Sequence, residues 1–122
     1  MTVRGVRGAT TVDHNDAEEI LQATIEMLNQ IVVDNGIEPE DICSVLVTVT
    51  QDLDAIFPAR AIRQMPGWEL VPLMCSLEIN VKDSLEKCIR LMVHVNTDKH
   101  QREIRHVYLN RAKALRPDLK PQ

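Results

Sequence analysis

The residues of this sequence that could do chemistry are mainly arginines. Arginine outnumbers lysine nine to five in a chain of 122 residues whose formal net charge is −4. A guanidinium group binds carboxylates through two parallel hydrogen bonds and keeps its charge when partly buried. Arg90 interrupts the apolar segment 87–95, and Arg7 lies in a glycine-flanked segment at residues 5–8. These positions favour a site for a small anionic ligand, although periodicity alone equally allows arginines on a solvated sheet face.

A thiol and a carboxylate form a second candidate group. Cys75 and Glu78 are three residues apart, directly after a predicted strand. No histidine follows the cysteine in a pattern typical of thiol enzymes, so a half-buried thiol beside a surface carboxylate is the simpler interpretation. The four histidines lack the spacing of metal ligands, and there is no P-loop, dinucleotide-binding or GxSxG motif. The residues therefore predict an arginine-rich site without a cofactor or metal.

Composition excludes several classes of protein. The aromatic residues are Phe57, Trp68 and Tyr108 alone, too few for a surface that stacks nucleic-acid bases, and the acidic balance disfavours contacts with phosphates. The N-terminal segment carries arginines where a signal peptide needs apolar residues, and no apolar run approaches the roughly 20 residues of a membrane span. The odd cysteine count without a CxxC pair suits a reducing compartment. We expect a cytoplasmic protein with no nucleic-acid or membrane partner.

The elements that must position these residues follow a β-α-β-α-β-β-β order in a single domain spanning residues 1–122. We expect a long amphipathic helix between Asn15 and Gly36, with a capping box formed by Asn15 and Glu18. Gly5 and Gly8 indicate bulges or points of close approach in the first strand. The predicted strands are at residues 2–12, 42–50, 69–71, 87–95 and 104–109, and a short helix is predicted at 57–63.

The predicted strand at residues 87–95 has two different faces. One face is wholly apolar and consists of Ile89, Leu91, Val93 and Val95; the other consists of Cys88, Arg90, Met92 and His94. A single long helix can cover only one face of a sheet, so something else must cover the second. The sequence therefore predicts an α+β domain with a mixed sheet, whose uncovered face is most simply buried by other subunits of a homo-oligomer.

Several segments, taken together, resemble one known family. They are residues 4–12 (RGVRGATTV), 52–61 (DLDAIFPARA), Gly67-Trp68 with Val71-Pro72, Cys75 with Glu78, 87–90 (KCIR), 104–109 (IRHVYL) and 115–119 (LRPDL). They spread over residues 3–119 in the family's order, which is far more specific than any one motif. On these residues the sequence resembles the small trimeric monofunctional chorismate mutases of the pseudo-α/β-barrel class, which are unrelated to the all-helical class.

The resemblance implies an activity and an assembly. The activity is the rearrangement of chorismate to prephenate, the branch point toward phenylalanine and tyrosine. The assembly is a homotrimer whose three sheets pack into a pseudo-α/β barrel, with active sites between neighbouring chains. The reaction is a pericyclic Claisen rearrangement without proton transfer or covalent intermediate, so no cofactor is implied. Catalysis requires the substrate to be held in its compact diaxial form and a cation to meet the ether oxygen.

The resemblance also implies roles for the matched residues. Arg90 is similar to the arginine that donates to the ether oxygen and a carboxylate. Arg7 and Tyr108 resemble the pair that binds the side-chain carboxylate, and Glu78 and Cys75 resemble the groups near the ring hydroxyl. Met74 stands where some relatives carry a small polar residue, so only its backbone is expected to contact substrate. The implied substrate-binding set adds the apolar walls Phe57, Leu73 and Leu115, the outer arginines Arg60, Arg63 and Arg116, and Ala59, Ser76 and Leu77.

Two other functions could use similar residues. A non-catalytic trimeric binding module for a small carboxylated metabolite would use the same arginines, but it would have no use for the carboxylate of Glu78. A trimer similar to the enamine/imine deaminases could share the fold, but the matched motifs are those of the mutases. The combination of Arg90 with Glu78 favours the mutase.

Overall fold

The secondary structure follows the predicted order along the chain. A computed structural model of the protein describes residues 1–115. The strands and helices are β1 (Thr2–Thr11), α1 (Ala17–Asn35), β2 (Ile42–Val49), α2 (Ala59–Arg63), β3 (Leu73–Leu77), β4 (Cys88–Thr97) and β5 (Val107–Tyr108). Short 3₁₀ helices lie at Pro39–Asp41, Gln101–Glu103 and Asn110–Ala114. The predicted α+β class with one long helix and short helices is confirmed.

The five strands of the described residues form one mixed sheet in the order β3-β2-β4-β1-β5. The central strand β4 is antiparallel to both β1 and β2, whereas β3 is parallel to β2 and β5 is parallel to β1. β3 and β5 therefore lie at opposite edges of the sheet. Four strand spacings separate these edges, a distance of about 19 Å.

Helix α1 begins one residue later than the sequence pattern predicts. The cap is Asp16, whose extended backbone (φ −127°) directs its side chain to accept a hydrogen bond from the backbone N–H of Glu19. The predicted capping box at Asn15 is wrong, because the Asn15 side chain instead accepts hydrogen bonds from the loop at Asp54 and Ala55. The helix ends as predicted at Gly36, in the left-handed conformation that glycine adopts without strain (φ 61°).

The apolar side of α1 packs on one face of the sheet, called here the covered face. The fully buried residues between the helix and this face include Val6, Ile20, Met27, Leu28, Ile31, Val45, Val47, Ile89 and Val93. A Cβ atom on Gly8 would lie 2.7 Å from Cδ1 of Ile31, so the predicted close approach is confirmed there. The pairing of β1 with β4 runs without a shift from Thr2 to Thr11, so a bulge in β1 is not formed. The other side of the sheet is called the open face.

The third predicted strand is misplaced. Residues 69–71 form turns, in which the backbone N–H of Val71 bonds to the carbonyl of Trp68 at 3.1 Å. The strand begins at Leu73, because its partner β2 pairs with residues 73–77 from Val45 onward. Cys75 therefore lies within an edge strand, not after one.

The last predicted strand, residues 104–109, is shortened to Val107–Tyr108. The backbone N–H of Ile104 closes the preceding 3₁₀ turn by bonding to the carbonyl of Gln101. The backbone of Arg105 bonds through both its N–H and its carbonyl to the side-chain amide of Asn35, at 2.8 and 2.9 Å. A side chain of α1 thus takes the place of a strand partner at this position.

Candidate active site

The open face carries Arg7, Arg90 and Tyr108 in rows that cross the sheet. Paired residues of neighbouring strands project to the same side, and every second residue of a strand shares a face. The central row, from β3 to β5, is Ser76, Thr48, Arg90, Ala9 and Tyr108. The neighbouring row is Met74, Leu46, Met92 and Arg7. The sheet therefore places Arg90 at the centre of the open face, with Arg7 on the diagonal and Tyr108 two strands away.

Arg90 contacts a carboxylate that lies just beyond the end of β3. Its Nη1 atom is 3.4 Å from Oε1 of Glu78, and the two side chains are 40% and 21% exposed. The other carboxylate oxygen, Oε2, accepts a hydrogen bond from the hydroxyl of Thr48. Within residues 1–115 the Arg90 guanidinium makes no other hydrogen bond, although a guanidinium has five N–H donors. A fixed cation and a fixed carboxylate thus lie side by side with donor capacity left for an anionic ligand.

Tyr108 and Arg7 lie at the β5 edge of the same face. Tyr108 is 6% exposed and packs in a small cluster with Ala9, Ala112 and Leu115. The backbone N–H of Arg7 donates to Nδ1 of His106 at 2.9 Å, which fastens this part of β1 to the segment that leads into β5. The predicted apolar-wall residue Leu115 is therefore placed beside Tyr108. The predicted outer arginine Arg116 lies outside the described residues.

A second group of predicted residues surrounds a cavity at the opposite, β3 edge. This cavity has a volume of about 590 Å³, and its lining includes Phe57, Arg60, Cys75, Ser76 and Leu77. The side chain of Cys75 is on the covered face, because its strand partner is the core residue Val47. Phe57 is 72% exposed, an unusual state for a large aromatic side chain.

The remaining predicted residues near this edge differ in burial. Ala59 is buried at the start of α2, Arg63 is exposed at its end, and Leu73 is half-buried against the core. Met74 is 66% exposed and belongs to the open face. Apart from the alanine and Leu73, these side chains have surface left for a ligand or for another chain.

Within one chain, the predicted site residues therefore form two separate groups. The open-face group contains Arg7, Glu78, Arg90 and Tyr108, and the β3-edge group contains Phe57, Ala59, Arg60, Arg63, Leu73 and Cys75. Glu78 and Cys75, which the resemblance implies lie at one ring hydroxyl, project from opposite faces of the sheet. The structure brings Glu78 to Arg90 but does not bring Cys75 to either.

Polar residues that sequence reasoning missed hold both groups in place. Thr48 bonds to Glu78, and Asp52 accepts hydrogen bonds from the backbone N–H of Lys87 at 3.0 and 3.2 Å. Asn15 accepts from the loop that leads to Phe57. The alternation of Ser44, Leu46 and Thr48 with valines could have placed Thr48 on the face of Arg90. The contacts of Asn15 and Asp52 span 35 or more residues and have no local signal.

The chemistry available near this site is that of charge and hydrogen bonds. Burial raises the pKa of the Cys88 thiol to about 11, so this cysteine near the open face stays protonated at neutral pH. Among residues 1–115, no group of three or more histidine, cysteine or acidic side chains could hold a metal ion. In the same part of the chain, no helix has the length and apolar character needed to cross a membrane.

Comparison with known proteins decides the family. The family model described as chorismate mutase type I matches residues 3–119. The chain belongs to this family. It is 50% identical over 119 residues to chorismate mutase AroH of Bacillus subtilis (strain 168), with 98% of this chain and 94% of that protein covered. It is 48% identical over 118 residues to chorismate mutase AroH of Thermus thermophilus, with 96% of each covered.

A solved structure agrees with the sequence comparisons. The chain resembles a chorismate mutase from Clostridium thermocellum with a TM-score of 0.88 and 55% sequence identity, over 91% of this chain and 98% of that one. The resemblance that the sequence motifs indicated is therefore confirmed, and so is the fold class. Family membership makes the protein a chorismate mutase, an isomerase of aromatic amino acid biosynthesis.

Proposed function

We propose that this chorismate mutase acts by holding chorismate in its compact form and by placing Arg90 against the ether oxygen. The observation that carries the proposal is the position of the guanidinium: it lies at the centre of a five-stranded sheet, 40% exposed, beside the carboxylate of Glu78. A charged group fixed on a strand needs no reorganisation when charge develops on the substrate, which is how preorganised donors lower a barrier.

The reaction forms no covalent bond between the protein and the substrate. The ether C–O bond breaks while a C–C bond forms at the other end of the substrate, and all electrons stay within the substrate. Negative charge grows on the ether oxygen, where Arg90 donates, and positive character grows on the ring fragment, which the carboxylate of Glu78 stabilises. Arg7 and Tyr108 bind a carboxylate and hold the substrate in the reactive conformation, an orientation effect.

We propose further that each active site is completed by a second copy of this chain. The open-face group reaches from Glu78, just beyond the end of β3, to Tyr108 in β5, whereas the cavity of the β3-edge group is lined by Cys75 of the covered face, so the two groups of one chain lie on different sides of the sheet. Joining the β3 edge of one copy to the open face of the next is a head-to-tail contact, which closes into a ring. The resemblance to trimeric enzymes supports a ring of three.

The exposed apolar residues of the open face support the same assembly. Leu46 and Met74 are paired neighbours that are both exposed on this face, and contiguous exposed apolar side chains are typical of an interaction surface. Burial of this patch by neighbouring copies would supply the cover that one long helix cannot give. Phe57 would then become a wall of the site of a neighbouring copy.

Mixing two inactive variants tests the shared site. Phe57→Asp, at a residue exposed in one chain, places a negative charge where an anionic substrate must bind; Arg90→Ala removes the open-face cation. If sites are shared between neighbouring copies, refolding the two variants together in equal amounts restores about a quarter of the wild-type sites by random assembly. Activity is measured as the loss of chorismate absorbance in the presence of a chelator.

The controls make the outcome decisive. Each variant refolded alone must stay inactive, and light scattering must report the same mass for the variants, the mixture and the wild type. No recovery in a mixture that does form mixed oligomers would mean that each site lies within one chain.

A further inference from the structure

On the open face, Thr48 makes a hydrogen bond that has no part in the family resemblance or in the proposed mechanism. Thr48 lies in β2, directly opposite Arg90 of β4 and Ser76 of β3. Its hydroxyl donates a hydrogen bond to Oε2 of Glu78, while Nη1 of Arg90 approaches the other oxygen, Oε1, at 3.4 Å. The two oxygens of one carboxylate are thus divided between a neutral donor and a cation.

We propose that Thr48 is a positioning residue that prevents Glu78 from forming a bidentate ion pair with Arg90. An arginine and a carboxylate in contact prefer a pair of parallel hydrogen bonds, which would use two guanidinium donors. Because Thr48 holds Oε2, the carboxylate presents only Oε1 to Arg90. The remaining N–H donors of the guanidinium then stay available to the substrate.

The surroundings of Glu78 explain why such an anchor is needed. The backbone N–H of Glu78 bonds to the carbonyl of Val49 at 2.9 Å, but the chain leaves the sheet immediately afterwards, and Ile79 is 86% exposed. A glutamate at a strand end has a long side chain that can rotate toward Arg90. The side chain of Thr48 is β-branched and sits within a paired strand, so its hydroxyl has a restricted direction.

The inference rests on the proposed roles of Arg90 and Glu78 and is tested with kinetics. Thr48→Val keeps the branched shape and removes only the hydroxyl. We expect kcat to fall on the order of ten- to a hundredfold, the range for losing a hydrogen bond to a charged group, with a much smaller change in KM. Thr48→Ser restores the hydroxyl and should recover most of kcat. A Thr48→Val enzyme with unchanged kcat overturns the inference.

Ser44→Ala is the matched control. Ser44 lies on the same strand and the same face, and its hydroxyl bonds to His94 at 3.1 Å, away from Glu78. This variant should leave kcat unchanged. Thermal unfolding and light scattering on all variants check that fold and assembly are the same, so that a loss of kcat in Thr48→Val alone reports on the site.

A double-mutant cycle separates positioning from a direct effect. In a Glu78→Ala background Thr48 has no carboxylate to hold, so Thr48→Val should cause no further loss. An equal loss in both backgrounds would mean that Thr48 acts by another route, and the inference would be wrong. If Glu78→Ala alone leaves kcat unchanged, the proposed role of Glu78 fails. If Glu78→Ala is damaging and Thr48→Val is harmless, only the positioning role fails.

Discussion

The two faces of the sheet use the same strands for different purposes. On β4, Ile89, Leu91, Val93 and Val95 are all buried on the covered face, whereas Arg90, Met92 and His94 alternate with them on the open face and keep partial exposure. The covered face meets a helix of its own chain, and its apolar residues serve the fold. The open face mixes charged, polar and exposed apolar residues. A residue's position in the alternation therefore decides whether its substitution should change stability or activity.

The largest effect is expected at the centre of the open face. Arg90→Ala should lower kcat on the order of a hundred- to a thousandfold, as for the loss of one oxyanion donor, because the guanidinium meets charge that grows in the transition state. Arg90→Lys should recover little, since a flexible ammonium cannot reproduce the planar fork. Steady-state kinetics measures both, and some rise in KM should accompany the loss.

Arg63→Ala is the comparison at the β3 edge. Arg63 is exposed at the end of α2, so its loss should mainly raise KM. An Arg90→Ala enzyme that changed only in KM would make Arg90 an anchor for a substrate carboxylate, and the electrostatic role assigned to it would be wrong.

The next effect concerns the assembly that the open face is proposed to form. Leu46→Glu places a charge in the exposed apolar patch, next to Met74 and Met92 in the same row. Burying an unpaired charge between subunits is costly, so the oligomer should dissociate and lose activity at concentrations at which the wild type stays assembled. Light scattering across a dilution series measures the mass. Val33→Glu, at an exposed position of α1, is the control and should leave the mass unchanged. An assembled and active Leu46→Glu protein would place the interface elsewhere.

The covered face should respond through stability. In Gly8→Ala the new Cβ would meet Ile31 Cδ1 at 2.7 Å and Met27 at 3.1 Å, both fully buried, so overpacking should cost about 1–3 kcal/mol of unfolding free energy. In Gly5→Ala the nearest atom is the sulfur of Met92 on the half-exposed open face, at 3.2 Å, and a smaller cost is expected. Urea unfolding at one protein concentration compares them.

A second substitution tests the cause of that destabilisation. Ile31→Val removes the Cδ1 atom that a Cβ on Gly8 would meet. Combined with Gly8→Ala it should cost less than the sum of the two single changes, because the residues are in contact. Simple additivity would mean that the close approach to α1 is not the source of the cost.

Sequence alternation predicted the parts of the molecule that depend on local periodicity. The two faces of β4 and the length of α1 follow from spacing alone, so Arg90 could be placed correctly relative to the core. The start of β3 could not be placed, because it is fixed by pairing with β2, where the backbone N–H of Val45 bonds to the carbonyl of Pro72. Misplacing that strand also hid that Cys75 and Glu78 project from opposite faces.

The polar contacts of the site were beyond local reasoning for a related cause. Thr48 and Glu78 are 30 residues apart, and Asn15 and Asp54 are 39 apart, so only the folded sheet brings them together. The family motifs supplied the identities of Arg7, Arg90 and Tyr108 without supplying the hydrogen bonds that hold them. Long-range pairing determines those bonds, and no residue pattern within one segment encodes it.

The smallest effect is expected where α1 joins β1, and it depends on pH. The backbone N–H of Asp13 donates to Glu19 at 2.7 Å and holds the pKa of that carboxyl below its ordinary value of 4.5. A lowered folded-state pKa contributes stability that is present above about pH 4.5 and is lost as pH falls through the folded-state value. The difference in free energy of unfolding between the wild type and Glu19→Gln should therefore shrink below that pH. Urea midpoints of the two proteins, compared between neutral and acid pH, measure this change. Glu103 accepts a similar hydrogen bond from the backbone N–H of His100, which lowers the pKa of its carboxyl, but it lies in a 3₁₀ turn away from α1. Equal acid sensitivity in Glu19→Gln and the wild type would contradict a stabilising role for the charged Glu19 at the start of the helix that covers the sheet.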